Sequence, residues 1–420
     1  MSKRGAPVLR RLRIQRFKSI FEQEIDFGKV NLFVGPNGAG KSNVLEALGI
    51  LAAALSNGLD PSVLDVKGVR LSLPHQFKSA FKNEHLPSTF RLEAEFDNGR
   101  YDCSISAGTN RSFLEFGTEA LYDGDQQVFG RSGHGIKLHS ARDQIPSFEK
   151  SAVASARSVW SVVGPFAKIS AGLRAELEEF SRFAIYAPQT AIMRGMAVDN
   201  RIVEPLGLTG SGLATALDTV LTENMPREKI DSFLKIIWEP GWANQIEISN
   251  LDTSIVPAHV LSEGRVMYIR DRYMRAGRNK LSAFDASEGT LYLIFVATLL
   301  AHKQTPKAFG LDNVDGTLNP RLVRSLSKHL VDIVTGSSPE ENRQAFMTSH
   351  HPSSLDSVDI FDQDQKIFVV SRDDDPKRRG QSNYFSLRPP GGMTKAKWVE
   401  AHGGKNLSEL LLSERIPGAL

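Results

Sequence analysis

Residues Gly35-Pro36-Asn37-Gly38-Ala39-Gly40-Lys41-Ser42, followed by Asn43, place glycines, a lysine and a hydroxyl at the spacing G-x-x-x-x-G-K-[ST]. That combination suits phosphate chemistry. Glycines let backbone N–H groups turn inward around phosphate oxygens, and a helix N-terminus behind them adds partial positive charge. Lys41 would reach the β- and γ-phosphates as a point charge, and the Ser42 hydroxyl would ligate Mg²⁺. The surroundings match: residues 30–34 read as a strand entering the loop, and residues 43–48 as a helix leaving it. A bare glycine-rich turn would not bring strand, lysine, serine and helix into register. The expected ligand is a nucleoside triphosphate, ATP, with Mg²⁺.

Three later segments carry chemistry of the same kind. Ser287-Glu288-Gly289 opens an apolar helix, so a hydroxyl, N–H groups and a dipole end face an anion. Alone, it reads equally well as an N-cap. Residues 308–311 form an apolar strand ending in Asp312, a position able to hold Mg²⁺ through a water. Residues 345–349 deliver His350 at the C-terminal end of a strand, where open α/β sheets place their ligands. Asp and His at such places also occur for turn and structural reasons, so it is the order of the set that matters.

A chain of 420 residues with 41% hydrophobic content can bury a substantial core, and a net charge of +3 says little about partners. The distribution says more. Arg4, Arg10, Arg11, Arg13, Arg16 and Lys18 crowd the N-terminus; Arg265, Arg270, Arg272, Arg275, Arg278 and Lys280 form a second cluster; Lys377, Arg378 and Arg379 form a third. Each alone reads as a solvated edge, and together they raise the expectation of a DNA-facing surface. The single cysteine, Cys103, excludes a disulfide framework and a cysteine zinc site, and suits a reducing cytoplasm. No apolar signal-peptide core follows Met1-Ser2-Lys3-Arg4, and the apolar run 291–301 is too short to cross a bilayer, so a cytoplasmic protein without a membrane partner is expected.

The elements that must position these groups follow from periodicity. Residues 8–17 and 21–27 alternate as paired strands, and 89–96 and 101–106 as a hairpin across Asp97-Asn98-Gly99. Residues 107–140 are rich in Gly, Ser and Asp and predict an irregular excursion. Residues 148–183 predict helix, 183–187 a strand, 212–238 a helical pair, then strands near 245–248 and 265–273, and a closing strand at 366–370. No repeat or sustained heptad occurs. The expected organisation is an N-terminal part at 1–106, an inserted region at 107–245 and a C-terminal part at 246–420.

Phe17-Lys18-Ser19 before the Gly35–Asn43 loop, Ser287-Glu288-Gly289, Leu311-Asp312 and His350, in this order, resemble the set found in RecF/SMC-type ABC ATPases. The chain is more closely similar to compact ATPases related to the overcoming-lysogenization-defect (OLD) proteins, several of which serve in anti-phage defence. The resemblance covers both ends well and the middle poorly. It implies an α/β P-loop NTPase of ABC-head type, a mixed sheet with an antiparallel β lobe and helical insertions. It implies two heads enclosing two ATP molecules, with Ser287 and Gly289 meeting the γ-phosphate bound by the partner, Asp312 as the Walker B aspartate and His350 as the switch histidine. Gln189, after the strand at 183–187, is the candidate loop residue sensing Mg²⁺ and water, although Pro188-Gln189-Thr190 reads equally as a turn.

The chain departs from the family twice. Where the family carries Glu after the Walker B Asp, this chain has Asn313, in the run Asp312-Asn313-Val314-Asp315. An amide orients water but does not accept its proton as a carboxylate does. Slow hydrolysis and a long-lived ATP-bound dimer follow, unless Asp315 substitutes. OLD nucleases also append a TOPRIM domain, whereas only about sixty residues follow Pro352 here. The expected assembly is therefore a homodimer or higher homo-oligomer acting on a separate effector, a nuclease or toxin; a DNA-repair ATPase of RecF/SMC type is the alternative.

Overall fold

The computed structural model describes residues 8–82, 84–107, 113–139, 153–201, 203–223, 227–260, 264–316, 318–336 and 342–413. Two compact units result: residues 1–185, 306–312 and 334–420 form the first, and residues 186–305 and 313–333 the second.

The first unit opens with β1 (Arg11–Phe17), β2 (Ile20–Asp26) and β3 (Val30–Val34), the last buried at every position. Helix α1 (Lys41–Ser56) follows the glycine-rich loop; its run of Leu, Ile and Ala is apolar on almost every side, as a helix enclosed by core must be. A short α2 (Pro61–Val66) precedes β4 (Thr89–Glu95) and β5 (Gly99–Ser106). The stretch expected to be irregular instead contains β6 (Glu115–Asp123), β7 (Gln126–Ser132) and β8 (Gly135–Leu138), completing a seven-stranded antiparallel sheet in the order β2-β1-β4-β5-β6-β7-β8. The pattern was hidden because two inward positions are charged. Glu119 and Arg131 are buried, 3.9 Å apart, and register shifts near Ser104 and Leu121 break the alternation further. The helix expected over 148–183 is two helices, α3 (Val159–Val163) and α4 (Ala171–Ser181), interrupted after Gly164-Pro165; residues 148–152 lie outside the described residues. The two-residue β9 (Ile185–Tyr186) leads out of the unit.

In the second unit, α5 (Thr190–Met193), α6 (Leu213–Thr222) and α7 (Arg227–Trp238) precede a three-stranded sheet of β10 (Ala243–Asn250), β11 (Arg265–Asp271) and β12 (Lys280–Ser282). Helix α8 (Glu288–Ala301), buried from Thr290 to Leu300, is its centre.

The chain re-enters the first unit as β13 (Ala308–Leu311), and α9 (Pro320–Gly336) brings it back to β14 (Gln344–Ser349), β15 (Gln365–Arg372) and β16 (Ser382–Leu387). The second sheet runs β16-β15-β3-β14-β13-β9. β3 pairs in parallel with β14 and β15, so the glycine-rich loop, Asp312 and His350 all leave the C-terminal ends of adjacent parallel strands. Two small helices, α10 (Lys395–Ala401) and α11 (Leu407–Leu412), follow.

Candidate active site: a phosphate loop with its aspartate and histidine

The loop after β3 owes its shape to close approaches. A Cβ on Gly35 would lie 2.0 Å from the Val370 carbonyl oxygen of β15. Gly40, the N-cap of α1, has φ 109°, and a Cβ there would lie 2.4 Å from Ser382 Oγ. Between them Pro36, Asn37 and Gly38 are exposed and Ala39 is buried. No acidic side chain occupies the first turn of α1, so its dipole end stays positive toward the loop.

Lys41 is 5% exposed, and its ammonium donates to the carbonyls of Gly35 at 2.7 Å and Pro36 at 3.0 Å. It also lies 3.0 Å from His350 Nδ1. An ammonium has only protons to offer, so Nδ1 is the acceptor there and the ring proton sits on Nε2. Ser42 Oγ donates to both oxygens of Asp312, at 3.0 and 3.2 Å, and Thr348 Oγ1 donates to the same carboxylate. The first unit thus gathers Lys41, Ser42, Asp312 and His350 around one loop. A hydroxyl and a carboxylate held together are hard oxygen donors, the set Mg²⁺ takes alongside phosphate oxygens.

A second layer went unread in the sequence. Asn43 Nδ2 donates to Ser19 Oγ at 2.6 Å, and Ser19 Oγ lies 2.7 Å from Ser382 Oγ, which donates to the Ala39 carbonyl. Tyr384 OH donates to the Gly40 carbonyl at 2.7 Å, and Arg372 Nε to the Gly38 carbonyl at 2.9 Å. Burial pushes the Tyr384 phenol well above its ordinary pKa, so it remains a donor. The only signal for this layer was Phe17-Lys18-Ser19: Lys18 pairs with Glu46 of α1, and Ser19 reaches Asn43 and Ser382.

The remaining predicted residues belong to the second unit. Gln189 is exposed; its N–H donates to the Thr209 carbonyl at 2.8 Å and its carbonyl starts α5. Ser287 caps α8: its Oγ accepts from Thr290 N at 3.3 Å and lies 2.7 Å from Thr290 Oγ1. Trp242 Nε1 donates to Thr290 Oγ1 at 3.0 Å. If Thr290 in turn donates to Ser287, the Ser287 proton is left for an outside acceptor. Ser287 and Glu288 are exposed, and a Cβ on Gly289 would lie 3.2 Å from Leu318. Asn313 is exposed, takes φ 56°, and accepts from Tyr292 OH at 3.1 Å through its carbonyl. Asp315 is 9% exposed.

The basic clusters fare differently. Arg10 pairs with Asp97, Arg11 with Asp26, Arg13 with Glu22 and Arg16 with Glu84, so the described part of the N-terminal cluster is neutralised by carboxylates of its own unit. In the second cluster Arg265 pairs with Asp218 and Lys280 with Glu247, while Arg272, Arg275 and Arg278 are exposed in the turn between β11 and β12. Among the described residues no helix is long and apolar enough to cross a membrane.

Among solved structures, the chain is similar to the SMC head bound to the C-winged helix domain of ScpA. The TM-score is 0.53 at 16% identity, over 92% of this chain and all of that one. It is also similar to a Pyrococcus furiosus Smc head with an extended coiled coil bound to the C-terminal domain of ScpA, with a TM-score of 0.50 at 14% identity, covering 94% and 99%. In sequence, 49 residues are 53% identical to the DNA replication and repair protein RecF of Magnetococcus marinus (strain ATCC BAA-1437 / JCM 17883 / MC-1); the match spans 11% of this chain and only 13% of that relative. The fold is that of an ABC-type P-loop ATPase of the RecF/SMC group. Residues 30–356, more than three quarters of the chain, match the family described as "AAA domain, putative AbiEii toxin, Type IV TA system", and the chain belongs to that family.

Proposed function

We propose that this chain binds Mg²⁺-ATP at Gly35–Asn43, hydrolyses it slowly, and uses the bound nucleotide to hold two copies together and regulate a separate effector, a nuclease or toxin, in anti-phage defence. The observation that carries the nucleotide site is the bonded set Lys41, Ser42, Asp312 and His350. Ser42 and Asp312 would hold the metal, which when bound neutralises charge on the β- and γ-phosphates. Lys41 already points its protons into the mouth of the loop, where phosphate oxygens would take the place of the Gly35 and Pro36 carbonyls. His350 accepts from Lys41 and so aims the ammonium. Asn313 positions a water by hydrogen bonding and leaves its proton without a strong acceptor, which slows turnover.

The dimer reading rests on the exposed Ser287 turn, a capped helix start with a hydroxyl proton directed outward. Ser287, Glu288 and Gly289 would complete the partner copy's site, with Gln189 at the metal and Asp315 as the reserve carboxylate. The family description, with its toxin–antitoxin context, favours an effector pair. The RecF match favours a second reading, a DNA-repair ATPase. Mass measurement of the chain purified with its operon neighbours separates the two: an ATP-dependent complex with a second protein supports the first. Binding to DNA ends that is ATP-dependent and falls steeply with salt supports the second. A monomer in ATP and ADP alike would overturn both dimer readings.

A further inference from the structure

The second unit contains a cavity of about 300 Å³, apart from every residue of the proposed nucleotide chemistry. Its lining joins the end of α5, the start of α6, β11 and the turn after β12; Met193, Leu213, Val256, Met267 and Phe284 make it largely apolar. That volume sits at the lower end of the roughly 300–1,000 Å³ range of small-molecule sites.

Three charged side chains reach the lining, and two are already matched. Asp199 accepts from both Arg201 Nε and Nη2 at 2.8 Å and from Thr209, and Arg265 donates to Asp218 at 2.6 Å. Ser282 Oγ donates to Asp285 at 3.1 Å. Arg194 differs. Its Nη2 donates to the Ala286 carbonyl at 2.8 Å, while its buried Nε has no acceptor among the described residues. An apolar chamber with one unmet cationic donor asks for an apolar molecule bearing one acceptor.

We propose that this cavity binds a small, largely apolar ligand carrying a single anionic acceptor such as a carboxylate or sulfonate, directed at Arg194. Binding is also felt at Ser287. Arg194 holds Ala286, the residue immediately before Ser287, and Ser282-Ala283-Phe284 of the lining lead into the same turn. A ligand that takes up Arg194 shifts the anchor of that turn. This coupling rests on the signature reading of Ser287; the binding site itself does not.

The test uses the full chain and 8-anilinonaphthalene-1-sulfonate, whose fluorescence rises in apolar surroundings. Saturable binding at one site per chain, displaced by decanoate, is expected. Ala214→Phe, which fills the cavity, should weaken it by about tenfold or more, and Arg194→Met should do the same while changing uncharged N-phenyl-1-naphthylamine by about twofold or less. Circular dichroism and Mg²⁺-ATP binding check that the variants are folded. Non-saturable fluorescence in the unaltered chain, or saturable binding that survives in folded Ala214→Phe, overturns the site. Equal losses of both dyes in Arg194→Met overturn the anionic requirement. Saturable binding with unchanged ATP turnover overturns the coupling and not the nucleotide site, which Mg²⁺-ATP binding reports separately.

Discussion

The phosphate loop and the Ser287 turn are both helix starts with a hydroxyl and backbone N–H groups, yet they are built to opposite ends. Around the loop, the polar side chains converge on one another: Lys41 on loop carbonyls and His350, Ser42 on Asp312, and Tyr384 and Arg372 on the backbone behind. At the turn, Ser287 meets only its own helix, through Thr290, and stands exposed with Glu288. A site organised in advance of its ligand can bind it alone. A capped, exposed turn offers a surface that needs something brought to it. Two uses of the same local geometry, intramolecular and intermolecular, account for the difference.

The strongest way to break that contrast is Lys41→Ala. Loss of a charge-assisted donor of about 1.5–3 kcal/mol should weaken ATP binding by about 10- to 100-fold, read by calorimetry. Retained affinity would mean that the loop's organisation serves something other than phosphate.

Asn313 sharpens the contrast at the boundary of the two units. Its φ of 56° is one that Asn tolerates and Glu does not, at a cost of about 1–2 kcal/mol. The amide therefore has a conformational reason to be there as well as a chemical consequence. Asn313→Glu should raise steady-state ATP turnover by about tenfold or more while lowering Tm, and Asn313→Asp should fit the backbone with less loss of Tm. Equal turnover in all three would remove the proton-acceptor account of slow hydrolysis.

Ser287→Arg addresses the turn. ATP-dependent dimer formation, followed by light scattering, should weaken by about tenfold, and ATP affinity should fall far less than in Lys41→Ala. An equal fall in affinity would place Ser287 in its own chain's site and erase the distinction.

What the sequence disclosed follows the same division. Gly35–Asn43 is a local pattern, and its flanking strand and helix could be read within twenty residues. Asp312 and His350 carry no local signal, and only their order after the loop pointed to them. Ser382, Tyr384 and Arg372 were illegible, because a tyrosine or serine more than 300 residues downstream gains meaning only when β15 and β16 fold beside β3. β6–β8 were missed because Glu119 and Arg131 sit where apolar residues were expected. The arginines of β1 suggested an anion surface until β2 and β4 supplied carboxylates opposite them. Charge patterns along one strand say nothing of the strand that pairs with it.

The smallest effect separates preorganisation from direct contact. Tyr384 touches no part of the proposed nucleotide chemistry, and its buried hydroxyl holds only the Gly40 carbonyl. Tyr384→Phe keeps the ring against Phe33 and deletes one hydrogen bond, leaving a carbonyl unmet at a cost of about 1–2 kcal/mol. If the loop is held ready by this layer, part of that cost falls on ATP binding, and Kd should rise by about two- to fivefold with a lower Tm. Thermal unfolding with and without Mg²⁺-ATP reads both. A lower Tm with unchanged Kd would show that the loop keeps its shape without its brace. In that case the φ angles and close approaches at Gly35 and Gly40, and not β16, would carry the preorganisation.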